Sequence, residues 1–326
     1  MATFLTTRKM SPELAARVEA SVRGRPAGQN RTSPKLVLLL RVLALGAVVT
    51  LVVGVVLMVR ARGRALDGER AALVAEVRAY SARLGDADRG MVPRVEAWLL
   101  AHAGDYEGDY AAPELRDERA FAAAMARPTA YLRGPIESFQ SSAGIARAAE
   151  DSYRDAFVLC LFDPPAKRSE KTLLRAAAAA FVGGKHLETA SQVERFHSAL
   201  VAAPFFEPAW EEQVRRADRA ELAQLRLAVK RAPLEEALRV MRASLLLSVM
   251  DEPKEGDGPT EVDGACRHFV RVAAVDLETE VLLFRQRKLV DPAWISSDAR
   301  LEYAHGINSC ELALELRAAL GGVPTP

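Results

Sequence analysis

The sequence predicts an α+β chain, with one N-terminal transmembrane helix followed by a mostly helical domain that carries a small, largely antiparallel sheet. Three observations lead there. Eighteen uncharged positions lie in a row between Arg41 and Arg60. The runs AFVLCLF (156–162), ASLLLSVM (243–250), RHFVRVAAV (267–275) and EVLLFRQRKLV (280–290) are apolar or β-branched and are bounded by Asp-Pro stops or short polar turns. Most of the remaining sequence has helical spacing broken at Gly and Pro. The expected organisation is a basic tail (1–35), a transmembrane helix (36–59), a juxtamembrane helical stalk (60–84), an α+β domain (85–320) and a short tail (321–326).

The span is read from length. At roughly 1.5 Å per residue, Val42 to Val59 crosses about 27 Å, close to the roughly 30 Å hydrocarbon core of a bilayer. A core helix of a soluble protein would show a polar stripe every three to four residues, and here only Thr50 interrupts the hydrocarbon. A cleaved export signal would begin its apolar core near Met1 and end at small residues, whereas forty-one residues precede this one and Val59-Arg60-Ala61-Arg62 follows it. The expectation is an uncleaved signal anchor. Basic residues within twenty positions of either end balance, and Arg8, Lys9 and Arg17 tip the count toward an N-terminus inside. That places the chain in the inner (cytoplasmic) membrane as a single-pass protein with a periplasmic domain.

Charge divides the chain in the same place. Residues 1–64 hold eleven Lys or Arg against Glu13 and Glu19, while the rest holds 33 basic and 41 acidic residues. A basic flank suits anionic lipid, and an acidic domain lacks the footprint of a nucleic-acid binder. Arg outnumbers Lys 36 to 8, as in GC-rich bacterial coding. Three cysteines are too few for a disulfide scaffold. If one bridge forms, Cys266 and Cys310 are the expected pair, because Cys160 sits inside an apolar run; buried free thiols are the other reading.

In the stalk, Leu66, Leu73, Val77, Tyr80 and Leu84 form a heptad-like edge with Arg70 as its polar member, and Gly46, Thr50 and Gly54 are spaced four apart within the span. A parallel homodimer through these residues and packing of the 66–84 helix onto the domain both fit. After the 85–90 break comes a short helix through 96–100, then an acidic glycine-containing loop, GDYEGDYAAPE (104–114), and a helix over 115–126. Residues 130–139 mix strand-like residues with a Gly-Pro break, and the run 156–162, stopped by Asp163-Pro164-Pro165, reads as a buried strand. Ser169 caps a helix running to Gly183-Gly184, and 188–240 is mainly helical with breaks at Pro204, Pro208 and Pro233. The 243–250 strand, stopped by Asp251-Glu252-Pro253, joins a 267–275/280–290 hairpin in an antiparallel meander. A last helix begins at Ser296 or Ser297 and carries Tyr303, Ile307, Cys310, Leu314 and Ala318 at helical spacing.

The segments RDAFVLCLFDPP, RHFVRVAAVDLETE and VDPAWIS resemble a group of uncharacterised single-pass membrane proteins of GC-rich Gram-negative bacteria, over roughly residues 90 to 320. The resemblance implies an envelope setting and an α+β domain, and it implies no catalytic residue.

No reaction is written in the sequence. The five histidines are scattered without metal-ligand spacing, and there is no GxSxG elbow, Walker loop or GxGxxG, so no cofactor is expected. Two constellations could carry chemistry. If the two apolar strands are neighbours, Asp163, Asp251 and Glu252, with Asp263 from the following loop, gather at one edge and could hold a hard cation, although acids before proline also simply start turns. Arg267, Arg271, Arg285, Arg287 and Lys288 crowd the hairpin and Arg133 lies in the RGP kink, a set that could receive a carboxylate or phosphate or could form a solvated face. The expected function is a membrane-anchored envelope protein whose domain binds or scaffolds an envelope protein or an anionic ligand. A metal-assisted hydrolase using the carboxylates and a single-pass sensor signalling through its short N-terminal segment are the alternatives.

Overall fold

The computed structural model describes residues 34–152, 155–182, 192–253 and 266–321, with a few positions between 11 and 19. The chain divides into two compact units, Met1–Ala65 and Leu66–Pro326. In the first, the described structure is the opening part of helix α1 (Pro34–Ser81). Every side chain from Leu38 to Val59 is exposed, and the most apolar 18-residue window has a mean hydropathy of 2.9 with none of it buried. The Thr50 hydroxyl donates to the Gly46 carbonyl at 2.9 Å, so the one polar side chain of the span is satisfied by its own helix.

The second unit begins at Leu66, ahead of the expected boundary at 85. It contains α2 (Asp86–Arg89), α3 (Met91–His102), β1 (Tyr110–Ala111), α4 (Glu118–Met125), β2 (Thr129–Pro135), α5 (Ser142–Asp151), α6 (Ala156–Phe162), α7 (Glu170–Val182) and β3 (Val193–Arg195). There follow α8 (Phe196–Ala202), α9 (Pro208–Arg216), α10 (Arg219–Arg231), α11 (Leu234–Met241), β4 (Leu245–Asp251), β5 (His268–Asp276), β6 (Val281–Val290) and α12 (Ser297–Gly321). Leu73, Val74 and Val77 of α1 are buried with Trp210 and Val214 of α9 and Leu222 and Val229 of α10. Arg70 donates through Nε and Nη2 to the Ala217 carbonyl. Packing onto the domain, one of the two fits that the 66–84 edge allowed, is formed by Leu73, Val74 and Val77, whose apolar area leaves water within the unit.

The sheet is mixed, and the expectation of a largely antiparallel one is corrected. Its order is β1-β6-β5-β4-β2-β3. The meander β4-β5-β6 is antiparallel as expected, but β2 pairs parallel to both β4 and β3. Helices separate these three strands in sequence, and only a crossover of that length can return the chain in the same direction. Alternate residues face two cores. Tyr131, Leu245, Leu247, Val249, Val270 and Val272 pack with α6, α7 and α12, while Ala130, Leu132, Leu246, Met250 and Val275 pack with α3, α5, α8 and α11.

Residues 156–162 form helix α6, not a strand. Asp155 is its N-cap, with Oδ1 accepting from the Val158 amide at 3.3 Å, and Ala156 through Leu161 are all buried in the first core. A helix buried on every side shows no polar stripe, so its sequence cannot be told from a buried strand by periodicity. The helix also changes the cysteine pairing. It sets Cys160 against α12, where Cys160 and Cys310 are bridged with Cα atoms 5.1 Å apart, and Cys266 stands outside the bridge. The expected Cys266–Cys310 pair is therefore replaced by Cys160–Cys310.

Candidate functional site

β4 closes with Asp251, Glu252 follows, and consecutive residues of a strand point to opposite faces. On the first face Asp251 meets Arg133, whose residue on β2 lies in register with Val249. Arg133 Nε and Nη2 donate to the two Asp251 oxygens at 3.0 and 2.8 Å, and Nη1 donates to Asp155 Oδ2 at 2.9 Å and to Ser309 Oγ of α12 at 2.7 Å. The Tyr131 hydroxyl donates to Asp155 at 3.2 Å. Arg133 and Asp155 side chains are 9% and 6% exposed. Burial alone would lower the guanidinium pKa; Asp251 and Asp155 outweigh it and hold Arg133 well above the ordinary arginine value. Burial, followed by the charge of Asp155, pushes Tyr131 well up.

His268 completes this network. Its Nδ1 lies 2.8 Å from the Cys266 carbonyl and its Nε2 3.4 Å from Asp251 Oδ1. Both ring nitrogens face acceptors, and only the imidazolium can donate to both. Burial would lower its pKa, but the hydrogen bonds to Asp251 and the Cys266 carbonyl win and raise it.

On the second face Arg271 of β5 and Arg287 of β6 are directly opposed across the ladder. Like charges in that position repel, and Glu252 lies between them. Its Oε1 accepts from Arg271 Nε at 2.6 Å and Arg287 Nε at 2.9 Å, and its Oε2 from Arg287 Nη2 at 2.6 Å. Burial would raise the Glu252 pKa; the hydrogen bonds from Arg287 and Arg271 lower it instead. The loop after α3 covers this ladder. Arg271 Nη1 donates to the carbonyls of His102 and Gly104, and Arg285 donates through Nε to the Gly108 carbonyl and through Nη1 to Glu107. The Tyr106 ring sits 5.4 Å from the Arg271 guanidinium and 5.8 Å from that of Arg285. The Arg287 guanidinium lies 3.7 Å from the centre of the Phe269 ring. Beneath the loop, His102 stacks on Trp98, and burial, then Arg285, lowers its pKa to about 4.

The sequence-predicted residues fall as follows. Arg133 and Asp251 meet on one face; Arg271, Arg285, Arg287 and Glu252 meet on the other. Arg267 is exposed beside the first network. The carboxylate cluster does not assemble among the described residues, which hold no group of three His, Cys, Asp or Glu placed for a metal. Asp163 caps the C-terminus of a helix instead of closing a strand, Asp251 and Glu252 are engaged by arginines, and Asp263 lies outside the described residues. The sequence reading missed Asp155, Ser309, His268, Tyr106 and Glu107. Asp155 had a signal, since Asp directly before an apolar run is an N-cap; nothing local tied the acidic loop to the hairpin.

The first network ties β2, β4, β5, α6 and α12 together through Arg133, Asp251, Asp155, Ser309 and His268. The second opens to solvent, with the Glu107 side chain 74% exposed over an Arg285 side chain that is 15% exposed. Clefts of about 690, 190 and 700 Å³ lie elsewhere, along α1 and Arg215, beside Trp294, and between α9 and α10. Compared with known proteins, the chain matches no protein-family model, no curated protein and no solved structure.

Proposed function

We propose that this chain is a membrane-anchored binding or scaffolding protein of a bacterial cell envelope, akin to the single-pass membrane proteins its sequence resembles. Residues 36–59 hold it in the inner membrane, the N-terminus lies inside, and the β5–β6 hairpin with its arginines is the contact surface. The observation that carries the reading is the apolar window of α1, whose side chains meet no protein surface and so call for lipid as their solvent. The basic residues Arg60, Arg62 and Arg64 directly after it favour retention over cleavage. The periplasmic placement is supported by the Cys160–Cys310 bridge, because disulfides persist in oxidising compartments and are rare in the cytosol.

The test is carbonate extraction of membranes from cells making the full-length protein, with protease added to spheroplasts and to lysed cells. The protein is expected in the pellet, with its domain digested in spheroplasts. Recovery in the soluble fraction, or a mature N-terminus beyond Val59, would overturn the anchor; digestion only after lysis would overturn the orientation.

A further inference from the structure

We infer that residues 104–109 are a displaceable strap lying in cis over a site for an acidic segment of a partner protein, formed by Arg271 and Arg285 on the hairpin. The inference rests on the reading of the hairpin as a contact surface and names the partner chemistry and its control.

The strap shows what the site accepts. Arg285 takes one carboxylate, from Glu107, and one main-chain carbonyl, from Gly108. Arg271 takes two more carbonyls, from His102 and Gly104, and the Tyr106 ring lies near both guanidiniums, at 5.4 and 5.8 Å. The Asp109 side chain accepts from the Arg287 amide at 3.0 Å, and Tyr110 then pairs with Arg285 at the sheet edge. An extended acidic peptide with an aromatic residue offers the same groups in the same order and can add to the β6 edge as a strand. With the strap removed, Arg271 keeps one internal carboxylate, Glu252, and Arg285 loses both the Gly108 and the Glu107 acceptor.

The strap is also built to leave. It leads into β1, a strand of only two residues. Gly108 has φ +96, a left-handed backbone that glycine adopts without strain, and so marks a turning point inside the strap. The Glu107 ion pair is largely exposed on the carboxylate side, and such pairs hold weakly. What the strap hides on the arginine side is mostly covered: Arg271 and Arg285 side chains are 16% and 15% exposed.

The test uses the full chain in detergent micelles and a fluorescent synthetic peptide of sequence GDYEGDY, that of residues 104–110, read by anisotropy. The strap variant Tyr106→Ala/Glu107→Ala is expected to bind it at least about tenfold more tightly than the wild type, a difference of about 1.4 kcal/mol. Adding Arg285→Glu to that variant should abolish binding, and the neutral peptide GNYQGNY should not bind. In the wild type, saturating peptide should speed amide exchange at 104–109, a readout that does not depend on the variants folding. Equal affinity in wild type and strap variant, or unchanged exchange at 104–109, overturns the strap while leaving a surface site. Absence of binding in every form overturns the acidic-peptide site. Because the assay is done in micelles, neither result touches the anchor, which carbonate extraction decides separately.

Discussion

Asp251 and Glu252 are neighbours at the end of β4, yet they face opposite sides of the sheet and each neutralises a different set of arginines. One strand end therefore balances charge in two places, one on each face of the sheet.

Removing the inner arginine should be costly. Arg133→Met leaves the buried Asp155 without its arginine and strips Asp251 of its bidentate partner, and is expected to cost about 3–5 kcal/mol in urea unfolding. Arg133→Lys should rescue little, because a single ammonium cannot span Asp251 bidentately while also reaching Asp155 and Ser309. Full stability in the lysine variant would refute the fork geometry.

The outer pair makes a coupled prediction. Glu252→Gln leaves Arg271 and Arg287 facing each other and should destabilise by about 2–3 kcal/mol. Combined with Arg287→Met it should cost much less than the sum of the two single changes. Additive costs in this double-mutant cycle would show that Glu252 does not act by separating the two charges.

Two histidines give opposite pH signatures. His102 has its folded pKa lowered to about 4, so its neutral form stabilises the fold above the ordinary value of 6.5, and that contribution is lost as pH falls toward 4. His268 has its pKa raised, so its contribution is complete below 6.5 and is lost as pH rises through the folded value. Melting curves between pH 4 and 8 should show His102→Phe flattening the acid limb by at least about 3 °C and His268→Asn flattening the neutral limb. NMR titration of the two rings provides the direct check.

Thiol chemistry separates the two cysteine pairings. In the denatured, unreduced protein a maleimide should label one cysteine, Cys266, and Cys266→Ser should abolish labelling. Cys160→Ser should cost about 2–5 kcal/mol. Labelling that persists in Cys266→Ser would remove the bridge.

What the sequence disclosed follows the range of the forces involved. The α1 window, the β5–β6 hairpin and β4 were legible because each signal is local: unbroken hydrocarbon, two β-rich runs across a short polar turn, and an apolar run stopped by Asp-Glu-Pro. α6 was misread because burial on all sides erases periodicity, and the parallel half of the sheet was missed because β3 is three residues long and joins β2 through distant crossovers. In the candidate site the arginines stood out as a cluster in an acidic domain, but the acids that meet them come from 107, 155 and 251–252, positions that only tertiary structure brings near. On sequence alone Asp251 and Glu252 fit either turn-starting acids or a cation site, because nothing local reveals that each is turned toward an arginine.

The Cys160–Cys310 bridge spans 150 residues of sequence, and Cys266 lies between its ends. As the chain is synthesised, the first thiol emerges long before its proper mate, and Cys266 emerges between them. Any oxidant acting early can trap a mismatch, and thiol exchange must then undo it. Correct closure waits for α12, which follows both of the other thiols in the chain.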